Sequence, residues 1–432
     1  MNALLLYFLA YIFLRSVSNG ADRLYGTPFS LALSISAIVI GLVAAWHMRH
    51  VRIHKRIFTV LKCSSFFVVT CGLSFVVNAF AARNIIDQYA AWYEILRYVY
   101  LIMFVILLSA VYRHPAFCLN VHRVYVLLLF LMAAVGLGQY LTGHAELVTP
   151  YDKFKRVVSL SSHPVSFSLE LVLTFCVCEL SRRKMRHPIR HVHIVVYMVF
   201  LVALVLSASR TGAVLLGVTI GMFLLIQRPF LLPGFAAAFA GVLWLSPFGE
   251  LFSELSSVPE YILRGDYVVW DWRTGVTSFH WRIHHWYYLS TLGLERPWIG
   301  YGPGQEILYS PFSLLAHSQF VEIFFDTGMV GLISFAMFWF SIPLVAMSDR
   351  QRLVISYGKK SAEIGTLHFW MAMFGGVTLV ALFDQSFNKE TVAFSHLIVS
   401  VFVVLCQPKA VTERGLGSLY SHVSMRPCPA PA

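Results

Sequence analysis

Long apolar runs divided by short polar breaks dominate the chain, and most are long enough to cross a bilayer as a helix. A membrane span needs roughly 20 mostly apolar residues. The pattern predicts about twelve such helices, centred near Phe8, Ile38, Val69, Phe104, Leu129, Leu173, Phe200, Val218, Ala238, Phe338, Val377 and Val399. The first is neither preceded by a basic segment nor followed by a small-residue cleavage site, so it is expected to stay as an anchor. The fold class expected is an all-α polytopic membrane protein, with residues 1–432 forming one transmembrane domain. Between the ninth and tenth runs the polar pattern stretches into one long insertion, residues 248–317. It is too aromatic for a disordered linker, with Trp270, Trp272, Trp281, Trp286 and Trp298 among its residues, and predicts short helices at the membrane surface.

Composition agrees with the pattern. Of the 432 residues 58% are hydrophobic and only 12% charged, with a mean hydropathy of +0.70, which excludes an ordinary soluble domain. The net charge of +12 invites a nucleic-acid reading, but the basic residues fall in alternate loops. Arg49, Arg52, Lys55 and Arg56 form one group, and Arg182, Arg183, Lys184, Arg186 and Arg190 another. Arg350, Arg352, Lys359 and Lys360 form a third, and Lys409, Arg414 and Arg426 lie in the tail. The positive-inside rule makes these loops and both termini cytoplasmic, so the charge is topological and no nucleic-acid partner is expected. The cysteines fall in predicted spans or on that same side, and offer no disulfide framework or zinc spacing on the outer face.

Chemistry concentrates on the other side. From Arg296 to Leu332 a glycine-broken polar loop ends at His317, and a long apolar helix is expected to follow at once. An unperturbed imidazole titrates at about pH 6.5, which suits it to take a proton from a hydroxyl; the plainer alternative is a histidine that caps the helix. The loop from Thr142 to Pro164 carries Lys153, Lys155 and Arg156 on the outer side, against the charge rule, and so points to an anionic ligand or to lipid headgroups. SASRTG must turn the seventh span into the eighth. It sets Arg210 beside helix N–H groups that favour an anion, with Thr211 available as a cap and Gly212 for close packing; snorkelling to lipid phosphate is the alternative. Within FHWRIHHWYYLSTLGLERPWIGYGPG, Arg282 and Trp286 stand four apart on one helix face, a pairing suited to phosphates and sugar rings and equally to a membrane interface.

Weaker signals have plainer readings. Gly300, Gly302 and Gly304 read as a tight turn, since no strand precedes them and no lysine follows. His280, His284 and His285 have metal-ligand spacing but no matching carboxylate, so no metal is assigned. Glu94 and Arg97 read as a pair on one helix, with Asn78 nearby in sequence.

Three of these segments, Arg210 in SASRTG, Arg282 in WRIHHWYYL before PWIGYGPG, and His317 in AHSQFVEIFFDTGMVGL, together resemble the polytopic O-antigen ligase and Wzy-type polymerase superfamily. RVVSLSSHP, from Arg156 to Pro164, looks like that family's outer loop before a middle helix. No single motif is specific; their order, spacing and shared outer location are. The resemblance implies transfer of a glycan from undecaprenyl diphosphate on the periplasmic face of a bacterial inner membrane. Arg210 and Arg282 would clamp the diphosphate, with Arg156 and Trp286 also binding substrate, His317 acting on the acceptor hydroxyl, and no cofactor or metal. It further implies a lipid-linked oligosaccharide and membrane lipid as partners, alongside a flippase and a chain-length regulator. Ligases and protein oligosaccharyltransferases of the family usually show His-Asn where this chain has His317-Ser318, so the resemblance leans toward an exopolysaccharide polymerase of xanthan type. An O-antigen ligase or protein O-oligosaccharyltransferase is the alternative. A non-catalytic glycolipid transporter ranks third, because transporters place charges near the bilayer midplane and these gather at the rim.

Overall fold

The computed structural model describes residues 2–25, 29–48, 55–81, 87–144, 156–161, 163–245, 257–268, 278–312, 315–347, 362–384 and 391–406. Within them the regular elements are helices joined by turns and loops: α1 Asn2–Tyr25, α2 Phe29–Met48, α3 Lys55–Val76, α4 Gln88–Val111, α5 Phe117–Leu141, α6 Pro164–Lys184, α7 His191–Leu206, α8 Arg210–Gln227 and α9 Leu232–Leu245. The insertion contributes α10 Val258–Arg264, α11 Ser278–Gly293 and the single turn α12 Glu306–Tyr309. After it come α13 Gln319–Met347, α14 Ala362–Phe383 and α15 Thr391–Leu405. Among the described residues eight helices are long and apolar enough to cross a membrane, and four shorter apolar ones accompany them, α1, α7, α9 and α15 in part or whole. Every run centre read from the sequence falls in one of these helices. The chain is an all-α polytopic membrane protein.

Burial sorts the helices into centre and rim. The apolar window of α6 is 89% buried against 28% for α2 and 33% for α5 and α8, so α6 is the axis of the bundle. Helix α6 starts with Pro164 after His163, whose ring accepts the Val165 N–H, as a helix start favours. Rim helices point large apolar side chains such as Leu6, Ile35, Val69, Met198 and Leu344 outward. So much exposed apolar surface is untenable in water and natural in lipid.

The two ends of the bundle differ. At one, Lys184 donates to the Val404 carbonyl, Glu179 accepts from Arg182 and Arg183, and Arg186 pairs with Glu363. At the other lie the α7–α8 turn, the insertion and the last residue of the α14 segment, Asp384, all described below. The basic groups at 49–52, 350–360 and 409–426, with Lys153, Lys155, Trp270 and Trp272, lie outside the described residues.

Helix α13 departs from the sequence expectation of one unbroken helix after His317. At Gly328 the backbone turns to φ 65° and ψ −165°, and the loop that follows Arg296 seats itself in the break. Met329 N–H donates to Pro297 O at 2.7 Å, Tyr301 N–H to Phe325 O at 2.9 Å, and Gly302 N–H to Asp326 O at 2.8 Å. The Asp326 carboxylate accepts from Gly304 and Gln305 N–H. Ser74 of α3 and Asn78, in the π-helical segment Val77–Ala81 that continues it, donate to the Ile299 and Gly300 carbonyls. Backbone groups freed inside a membrane must find partners in the protein, and this loop supplies them. A Cβ on Gly328 would lie 2.3 Å from the Trp298 carbonyl carbon, and one on Gly300 2.5 Å from that of Asp326. The glycines read as a tight turn are therefore a brace between α3 and the two halves of α13.

Candidate active site

The α7–α8 turn is held from beneath. Ser207 Oγ donates to Leu204 O at 2.6 Å, Ala208 takes φ +45°, and Ser168 Oγ on α6 donates to Ser209 Oγ at 2.7 Å. Gly212 lets α6 come this close, since a Cβ there would meet the Ser168 side chain at 2.5 Å. Arg210 is thereby fixed as the first residue of α8. The segment bearing Arg156 lies against the same turn, through Val157 N–H to Leu206 O at 3.3 Å, and is pinned to α5 by Ser159 Oγ on Met132 O. Thr211 does not cap the helix. Its hydroxyl donates to Asp384 Oδ2 at 2.9 Å.

Asp384 was not among the candidates read from the sequence, and it ties the others together. It follows directly on α14 and is 5% exposed. Its Oδ1 lies 4.0 Å from His317 Nδ1. Arg282, on α11, reaches the Phe383 carbonyl at 3.4 Å, and Trp286, one turn on, sets its ring 6.1 Å from that of Phe383. Burial lowers the Arg282 guanidinium pKa, Asp384 opposes the shift and Arg210 adds to it. Arg282 remains a permanent cation. Two guanidiniums that repel one another beside a single carboxylate form a site that an added anion stabilises.

His317 stands at the mouth of this arrangement, its side chain 30% exposed. Its φ is +50°, the left-handed region a non-glycine residue seldom adopts. The Trp281 ring meets the imidazole edge-on at 5.2 Å and 87°. His317 is not the helix cap. Ser318 precedes α13, and its Oγ lies 3.5 Å from Val321 N, where it accepts the N–H. An asparagine at 318 could do the same, so the departure from His-Asn leaves the helix start intact.

Arg156, Arg210, Arg282, Trp286 and His317 thus all lie at one end of the bundle, with Asp384 among the last four. The three insertion histidines part ways: His284 bonds the Tyr267 carbonyl, His280 bonds Ser257 and stacks on Tyr261, and His285 is buried against Phe312. Among the described residues no group of three His, Cys, Asp or Glu side chains is arranged to hold a metal. Glu94 and Arg97 form a buried ion pair on α4, and Arg296 donates to Asn78 Oδ1 at 2.9 Å, part of the brace. The signal for Asp384 was there: a lone acid directly after an apolar span, at the end where the other candidates gather.

Two guanidiniums, a carboxylate and an imidazole thus gather at one rim of a helical membrane bundle. Residues 194–336 match the family model described as O-antigen ligase. Over those residues the chain is similar to the O-antigen ligase and Wzy superfamily, whose members are glycosyltransferase-like ligases and polymerases. The match takes in Arg210, Arg282, Trp286 and His317, while Arg156 and Asp384 lie beyond it. No curated protein matches the chain.

Proposed function

We propose that this protein is a lipid-linked glycan polymerase of the bacterial inner membrane, working on the periplasmic face. It transfers a growing polysaccharide from undecaprenyl diphosphate to a hydroxyl of another lipid-linked repeat unit. Arg210 and Arg282 hold the donor diphosphate, Arg156 extends that basic wall, and Trp286 lines the sugar side. His317 accepts the proton of the acceptor hydroxyl as its oxygen bonds the anomeric carbon; the bond from that carbon to the phosphate oxygen breaks, and the diphosphate leaves as an anion. Guanidinium suits the leaving group, because its planar fork bonds two phosphate oxygens and its charge persists through the step. Asp384, fixed by Thr211, faces Nδ1, orients the ring with Nε2 toward the acceptor and stabilises the imidazolium once formed. The scheme assigns no step to a metal or cofactor.

The observation that carries this reading is the meeting of Arg210, Arg282 and His317 around Asp384. The family description favours a second reading, a ligase that passes the glycan to a lipid A core or a protein. Purified protein given undecaprenyl-diphosphate-linked repeat units alone tests the two. A ladder of lengthening products supports the polymerase, and product formed only when core oligosaccharide is added supports the ligase. Movement of glycolipid across a vesicle membrane without any new glycosidic bond would sink both and leave a transporter.

A further inference from the structure

We infer that Glu306 is a positioning residue for His317, acting with the indole N–H of Trp286 through the two peptide groups that lead into the histidine. The inference rests on the glycosyl-transfer reading above and adds a residue to it.

The Ala316 N–H donates to Glu306 Oε2 at 2.8 Å, and Trp286 Nε1–H donates to Ala316 O at 2.5 Å. The Ala316 carbonyl belongs to the same peptide plane as the His317 nitrogen, so the tryptophan bond fixes one side of the torsion that stands at +50°. The glutamate bond fixes the plane before it. A left-handed torsion at a non-glycine residue is strained and persists only where its surroundings hold it. Here two side chains grip one buried residue: Ala316 is fully buried and Glu306 1% exposed.

The grip is itself anchored. Glu306 opens the single turn α12, and Gln305 before it is fully buried, accepts the Asp87 N–H at 2.8 Å and donates to the Asp87 carbonyl at 3.0 Å. The Gly304 and Gln305 N–H groups rest on Asp326 of α13. The brace that fills the helix break therefore runs on through Glu306 to the backbone of His317. A carboxylate buried this deeply is costly unless it is held by good hydrogen bonds, and one of those is the Ala316 N–H. Reaction rates respond to displacements of about 1 Å by as much as 100-fold.

The test compares purified variants for turnover of undecaprenyl-diphosphate-linked repeat units and, in parallel, for binding of the same donor, with His317→Ala as reference. Glu306→Ala should lower kcat about 10- to 100-fold with donor binding retained, and Trp286→Phe, which replaces the indole and its N–H by a phenyl ring, should lower kcat by a similar factor. Glu306→Gln keeps an acceptor oxygen and should recover most of the rate lost in Glu306→Ala. Wild-type kcat in Trp286→Phe and in Glu306→Ala, beside an inactive His317→Ala, overturns the positioning role and leaves the base assignment standing. Loss of donor binding in step with kcat overturns it in favour of a structural role, as does a Glu306→Gln no better than alanine. If Glu306→Ala does not fold, Glu306→Gln and Trp286→Phe decide alone. Wild-type turnover by His317→Ala overturns both the base assignment and this inference.

Discussion

The Asp384 carboxylate, bonded to the Thr211 hydroxyl, lies 4.0 Å from His317 Nδ1, close enough for its charge to act on a protonated imidazole. Replacing Asp384 with Asn keeps size and hydrogen bonding but removes the charge that stabilises the imidazolium. Asp384→Asn should lower kcat by about 100-fold or more with donor binding little changed, by analogy with carboxylates that orient a catalytic histidine; an unchanged kcat would separate Asp384 from the chemistry. For the arginines the relevant change is to lysine. A point charge cannot reproduce the guanidinium fork, so Arg210→Lys and Arg282→Lys should each lose ~2 to 4 kcal/mol of transition-state stabilisation. Steady-state rates at matched membrane levels check this, and two fully active lysine variants would remove the clamp. His285 shows a different sensitivity. Burial, reinforced by His284, lowers its imidazole to about 4, whereas in an unfolded chain it takes a proton at about 6.5. Between those values the unfolded chain binds more protons, so stability falls as pH falls through that window. Thermal unfolding in detergent should show the melting temperature dropping on acidification, less steeply in His285→Phe than in the wild type.

Among the elements, the apolar spans were legible because a bilayer dictates their length and composition, and each predicted centre lies in a helix. The break in α13 was not. GMVGL reads as helix, since glycine is tolerated in apolar helices and nothing local says that a loop from 30 residues earlier will occupy the gap. Asp384 is visible in the sequence only as a lone acid after an apolar span; its partners Thr211 and His317 are far away in sequence and give it its meaning. Arg210 and His317 stood out as candidates because each lies where an apolar run meets a polar turn, and Arg282 because it shares a helix face with Trp286. The break gives a sharp comparison. Gly328→Ala puts a Cβ 2.3 Å from backbone, whereas Gly138→Ala on α5 meets nothing within 4 Å. Alanine is better than glycine in a helix by about 1 kcal/mol, so Gly138→Ala should hold or raise the melting temperature, and Gly328→Ala should lower it and impair transfer. Equal effects from the two would mean that the loop does not lock the break.

Seen as a whole, the molecule separates its basic, ion-paired end from the end that carries Arg156, Arg210, Arg282, His317 and Asp384. If those five share one periplasmic site, single cysteines placed beside Arg210 and His317 should both react with a membrane-impermeant maleimide in intact spheroplasts, and labelling from opposite sides would divide the site. The central claim is that His317 acts on the acceptor while the arginines hold the donor, and one measurement reaches it directly: product length and donor binding by wild type and His317→Ala, each purified and supplied with undecaprenyl-diphosphate-linked repeat units. General-base catalysis contributes about 100- to 10,000-fold in rate. The account predicts that His317→Ala binds donor nearly as the wild type does and leaves the repeat units unjoined. Polymer of normal length from well-folded His317→Ala, or a loss of donor binding as large as the loss of turnover, would contradict it.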